Sequence, residues 1–171
     1  MDEIQLKHER AIGDAFGDWY NDLNGTGHQY SGRGGDPPDL IYKHGSDELM
    51  LEITVAYYDA AHAKMLWKNA RSLPDAPGSW STWSPDGKLA DSISLMLAKK
   101  SAKHLPPGCV LVVALYPDLI SAKEFSKIVP VIKVPSGHGF AGIYVGGLFP
   151  ASSDGSPGGF CWWPLSSEAT A

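Results

Sequence analysis

The chain is short of three things. Its 171 residues include only two cysteines, Cys109 and Cys161, too few for a disulfide framework and not at zinc-ligand spacing. No apolar run is long enough to span a bilayer. The opening residues, MDEIQLKHER, also lack the apolar centre of a secretion signal. Basic residues are outnumbered, 14 Lys and Arg against 19 Asp and Glu, for a net charge of −5. That balance argues against a generally basic surface of the kind that holds nucleic acid non-specifically. It does not argue against a site that gathers metal ions, which is itself acidic. No internal repeat, GxSxG elbow, phosphate-cradling P-loop or dinucleotide fingerprint occurs. Reduced thiols and no membrane segment make a soluble cytoplasmic protein the expectation.

What is present suits one globular domain. The chain is 43% hydrophobic and 19% charged, outside the disordered range. Ile12, Phe16, Trp19, Tyr20 and Leu23 recur at helical spacing and predict a helix over 3–23. A Gly-rich stretch, Asn24 to Pro38, reads as loop. Asp39–Tyr42 and Leu49–Val55 read as strands, with KHGSD between them short enough for a hairpin turn. Helices are expected over 59–71, 88–104 and 121–129, the second stopped by Pro106 and Pro107. Val110–Leu115 and Gly142–Phe149 are apolar strands. The Pro/Ser/Trp-rich segment at about 73–87 reads as an insertion, and residues 151–171 as a loop-rich tail after a domain over 1–150. Strands alternating with helices predict an α/β fold, a mixed sheet covered on both faces.

One residue breaks the pattern. Glu52 sits in the middle of LMLEITV, where a charge costs several kcal/mol unless it is paired or holds a cation. Side chains on a strand alternate faces, so Glu52 and Thr54 share one side, close to Asp39 at the start of the preceding strand. Glu9 lies three residues before Ile12 and seven before Phe16, on the inward stripe of the first helix. Three carboxylates from three elements then point inward, and mutual repulsion calls for a cation among them. Oxygen ligands without matching His or Cys favour Mg2+ or Mn2+. Each acid also has a plainer account. Asp39 after Pro38 suits a turn cap, Asp36 is an alternative to it, and Glu9 suits a helix surface beside Arg10 and Asp14. Glu52 suits a buried ion pair, with Lys100 as one partner.

A glutamate in the first helix, then Pro38–Asp39, then a strand carrying Glu52-Ile53-Thr54, resembles the PD-(D/E)XK nuclease superfamily. It is most similar to small bacterial and phage members whose strand reads E-[IV]-T. The resemblance covers roughly Glu9 to Leu115 and implies a restriction-endonuclease-like core of order helix, three strands, helix, strand. It implies a metal-dependent endonuclease acting on DNA, less readily on RNA, with Asp39, Glu52 and Glu9 around Mg2+ or Mn2+. It further implies a homodimer or an accessory protein as partner. The departure is Thr54, which stands where the family has lysine and carries no positive charge. Lys100 continues the inward stripe of Leu89, Ile93, Met96 and Leu97 and is the candidate to supply that charge; Lys64 and Lys68 are weaker ones. The alternative is a nuclease-like module that binds nucleic acid or protein without cutting.

Other residues invite weaker readings. His28, Tyr30 and Arg33 suit either phosphate contacts or a mobile loop. His62 and His104 read as surface or capping histidines. Trp80, Trp83, Trp162 and Trp163 suit either base stacking or pinning of loops to the domain. Tyr57 and Tyr58, just past the Glu52 strand, stand close enough to hydrogen-bond into the site.

Overall fold

The computed structural model describes residues 3–165 apart from 36, 80–84, 118–119, 154 and 156. The chain runs α1 (Glu3–Asn24), β1 (Gln29–Arg33), β2 (Leu40–His44), β3 (Asp47–Ala56), α2 (Ala60–Ala70), α3 (Pro85–Ser101), β4 (Cys109–Leu115), α4 (Ala122–Ile128), β5 (Gly142–Phe149) and β6 (Gly159–Pro164). The strands form one six-stranded mixed sheet in sequence order. β1, β2 and β3 are an antiparallel meander, β4 and β5 continue parallel to β3, and β6 returns antiparallel. The α/β class expected from the alternation is the one observed.

Helix ends follow local chemistry. Asp59 caps α2, its carboxylate accepting from the His62 N–H at 2.9 Å. Ser121 and Glu124 form a reciprocal capping box on α4. α3 begins at Pro85, three residues before the expected start, because proline fits the first helical position.

Two expectations are corrected. The stretch read as a Gly-rich loop contains β1, paired to β2 with a register irregularity between Tyr30 and Gly32. Its residues are largely exposed, so no apolar alternation marks it. The tail read as loop contains β6, whose Trp162 and Trp163 pack on opposite faces of the sheet. Trp162 is buried edge-on against Phe16, with centroids 5.4 Å apart, while Trp163 meets Phe125 at 5.1 Å and Phe149 at 5.3 Å. These rings hold the last strand down. Trp80, Trp83 and Asp36 lie outside the described residues.

The parity of β3 divides the molecule. Leu49, Leu51 and Ile53 face α1, in a core with Ile12, Phe16, Val110 and Val112. Val113, Leu111 and Cys109 face the other way, in a core with Leu89, Ile93 and Leu97 of α3 and Phe125 of α4. Cys109 is the buried thiol expected from its place in the strand, and burial pushes it up to about 11. On α1, Gly13 permits close approach to the sheet: a Cβ there would stand 2.4 Å from Leu40 Cδ1 and 2.7 Å from the Tyr42 hydroxyl. Glu9, one turn earlier, is thereby carried against the sheet.

Phe16 is fully buried at the meeting point of α1, β5 and β6. Phe16→Ala is expected to cost about 3–5 kcal/mol in urea unfolding monitored by circular dichroism. A loss under about 1 kcal/mol would show that β6 and α1 are not held by this contact.

Candidate functional site

β2 starts too late to cover β3. Its first residue, Leu40, pairs with Leu51, so Glu52 to Ala56 pair with β4 alone among the described strands. Asp39 takes over at that point. Its N–H donates to the Leu51 carbonyl at 2.9 Å, and its Oδ2 accepts from the Ile53 N–H at 2.8 Å. A side chain thus replaces the missing ladder rung, which fixes the Asp39 carboxylate at the open edge.

A cleft of ≈ 310 Å³ occupies that edge. Glu9, His8 and Gln5 of α1 form one wall, and Asp39 with Glu52, Ile53 and Thr54 forms another. Trp67 of α2 and Lys100 of α3 complete it. All five residues singled out from the sequence, Glu9, Asp39, Glu52, Thr54 and Lys100, therefore line one cavity. They reach it from both faces of the sheet, Glu9 from the α1 side and Glu52 from the α3 side.

Lys100 meets Glu52 directly. Its Nζ donates to Glu52 Oε1 at 2.5 Å, with the carboxylate 1% exposed and the lysine 19% exposed. The helical stripe extrapolated from Leu89 and Ile93 does carry this amine inward. Thr54 turns the same way, its hydroxyl donating to Met96 Sδ at 3.1 Å, one turn before Lys100. Glu9 is buried rather than on a solvated surface; its Oε1 accepts from Gln5 Nε2 at 2.8 Å, and Arg33 Nη2 stands 3.6 Å from its Oε2. Arg10 and Asp14 pair with each other instead. Lys68 pairs with Asp75, and Lys64 is exposed.

Charge accumulates where water is scarce. Burial pushes Asp39 up to about 6, the charges of Glu52 and Glu9 push the same way, and the Ile53 N–H and Lys100 oppose them. His8, stacked on Tyr116 with centroids 5.4 Å apart, is lowered by burial against the raising effect of Glu9. Two carboxylate oxygens, Glu9 Oε2 and Glu52 Oε2, are buried with no hydrogen-bond partner among the described residues. Glu9 Oε2 already has the Arg33 guanidinium at 3.6 Å, whereas Lys100 meets the other oxygen of Glu52, and an orphaned buried oxygen is costly. Among the described residues, no group of three or more His, Cys, Asp or Glu stands ready to enclose a metal ion. Asp39 and Glu52 remain as a pair, and Mg2+ is commonly held by one or two carboxylates with water and phosphate filling the rest.

His8, Gln5 and Trp67 of the cleft lining, and Arg33 beside Glu9, were not singled out for this cleft from the sequence. Gln5 had one signal, its position four residues before Glu9. Arg33 was hidden because its strand reads as loop. His28 and His62 are corrected: both are buried. His28 bonds Asp47 Oδ2 at 3.0 Å and sits on Asn21 and Thr26, while His62 lies under Tyr58, whose N–H donates to its Nδ1 at 3.4 Å. His104 is exposed. Tyr57 lines the cleft beside Trp67, and burial raises its hydroxyl above the usual tyrosine range. In comparisons with known proteins, no family model, no curated protein and no solved structure matches the chain.

Two measurements follow from the electrostatics. An unfolded aspartate titrates near 3.8 and folded Asp39 near 6, so the native state holds the extra proton between those values. The Asp39 contribution therefore falls as pH rises through that window. Asp39→Asn, which keeps an acceptor for Ile53, is expected to be more stable than wild type at pH 8, by on the order of 2 kcal/mol, with the advantage vanishing near pH 4. A pH-independent difference in chemical denaturation would contradict this origin. Separately, Lys100→Met is expected to cost about 3–5 kcal/mol by stranding Glu52, and adding Glu52→Gln is expected to restore most of it. Equal losses in the single and double variants would show that the ion pair is not what Lys100 supplies.

Proposed function

We propose that the chain is a metal-dependent phosphodiesterase of the PD-(D/E)XK type, acting on nucleic acid with DNA favoured. The observation that carries this reading is the convergence of Asp39, Glu52 and Lys100 on one cleft at the uncovered edge of β3. The element order supports it too, because β1 supplies the third strand of the expected helix, three-strand, helix, strand core. Asp39 and Glu52 would hold Mg2+ or Mn2+. When bound, such an ion lowers the pKa of a coordinated water and neutralises charge on a phosphate.

The chain's own residues do the rest. The Asp39 carboxylate is held by the Ile53 N–H, so its orientation is set before any ligand arrives. Lys100 supplies, from α3, the positive charge that Thr54 cannot supply from β3. Its position beside Glu52 suits it to balance negative charge developing on the phosphate. Thr54 lines the cleft wall, its hydroxyl bonded to Met96 one turn before Lys100. Glu9 keeps Arg33 beside the cleft and adds to the negative potential acting on Asp39.

A second reading keeps the fold as a non-catalytic binding module. It is favoured by the Lys100–Glu52 ion pair, which already gives Glu52 one counter-charge. The two readings part on metal. With Mn2+ and plasmid or single-stranded substrates, wild type is expected to cut, while Asp39→Ala and Glu52→Gln each lose roughly 100-fold or more. Mn2+ is also expected to raise the melting temperature of wild type and not of Asp39→Ala. No cutting and no thermal shift in wild type leaves the binding module. Undiminished cutting in both variants would remove the proposed site.

A further inference from the structure

Beside the carboxylates lies a second, smaller concavity of ≈ 70 Å³. It shares His8, Tyr57 and Trp67 with the acidic cleft and adds Tyr116. The rings are ordered against one another: His8 stacks on Tyr116 at 5.4 Å and 11°, Tyr57 lies parallel to Tyr116 at 6.3 Å and 15°, and Trp67 meets His8 edge-on at 5.9 Å and 75°. An aromatic wall thus adjoins three carboxylates, in a protein whose hydrophobic cores lie elsewhere, under α1 and under α3 and α4.

The helix that carries Trp67 has a second property. Lys64, Trp67, Lys68 and Arg71 recur at i, i+3, i+4 and i+7, so one stripe of α2 presents three cations around one ring. Lys64 is exposed, Lys68 pairs with Asp75, and the Arg71 guanidinium lies 4.9 Å over the Trp67 ring. In a chain of net charge −5, a basic stripe bordering an acidic cleft suits a polyanion laid along α2.

We propose that the aromatic wall shared by this concavity and the acidic cleft is a nucleobase subsite: one unpaired base stacks against Trp67, Tyr57 and His8 while the α2 cations take neighbouring phosphates. The substrate is then single-stranded nucleic acid, or a duplex with an unpaired end. Paired bases in a duplex are stacked on each other and offer no free π-face to the wall, whereas an unpaired base exposes its own. The inference rests on the phosphodiesterase reading for the identity of the anion, and it adds the strand preference that reading lacks.

The test separates the two. Binding is followed in EDTA by fluorescence anisotropy, using a labelled 12-nucleotide single strand, the same strand with abasic sites, and the duplex; cutting is followed in parallel with Mn2+. Wild type is expected to bind the normal strand roughly ten-fold more tightly than the abasic strand or the duplex. Trp67→Ala is expected to lose that margin and Trp67→Phe to keep most of it, with melting curves confirming that both fold. Lys64→Ala is expected to weaken all three ligands alike. Equal affinity for normal and abasic strands, tighter binding of duplex, no detectable binding, or no effect of Trp67→Ala in a folded protein each overturns the subsite. Base-dependent binding without any cutting sustains the subsite and removes the nuclease reading. Cutting without strand preference does the reverse.

Discussion

A carboxylate in the centre of a sheet must be neutralised, and the surroundings of Glu52 are organised around that need. It is almost wholly buried between β4 and α3, with one oxygen on Lys100 and the other without a hydrogen bond among the described residues. Replacing such a pair by apolar side chains is often neutral or stabilising, so stability alone does not account for it. The neighbouring acids add to the burden, since Glu52 and Glu9 both raise Asp39. A perturbed carboxylate such as Asp39, held in an open cleft, is a common mark of a working site.

The cleft exists because of a length mismatch. β3 extends five residues past the start of β2, counting Glu52 to Ala56 beyond Leu51. An uncovered strand edge invites pairing with another chain. Here the edge is met by the Asp39 carboxylate, the start of α1 and Trp67 of α2. The side chains at that edge are therefore held by the fold on one side and open to ligands on the other. Asp39 joins both roles in a single residue, closing the ladder with one oxygen while facing the cleft.

Much of this was legible in the sequence wherever period and polarity conflict. Glu52 stood out because an apolar strand rarely carries a charge, and strand parity then fixed which neighbours shared its face. Lys100 followed from extending the apolar stripe of α3 by one more turn. The aromatic wall was not legible, because His8, Trp67 and Tyr116 come together only through the packing of α1, α2 and the end of β4. β1 was missed because an exposed edge strand, QYSGR, has no apolar period to read and carries a glycine at its irregularity. β6 was missed because Gly, Pro and Trp clustered near it suggest turns, whereas the paired tryptophans point to opposite faces of the sheet, as a strand requires. His62 looked like a surface or capping residue because no partner stands at metal-ligand spacing from it, yet it is the one residue of that helix fully turned inward.

The central claim is that the oxygens of Asp39 and Glu52 hold a divalent ion beside Lys100. Anomalous diffraction from a crystal soaked in Mn2+ tests it most directly. The account predicts a manganese peak within coordination distance of both carboxylates, with Lys100 Nζ displaced from Glu52 Oε1. A crystal that binds no manganese there, with the Lys100–Glu52 ion pair unchanged, would contradict it.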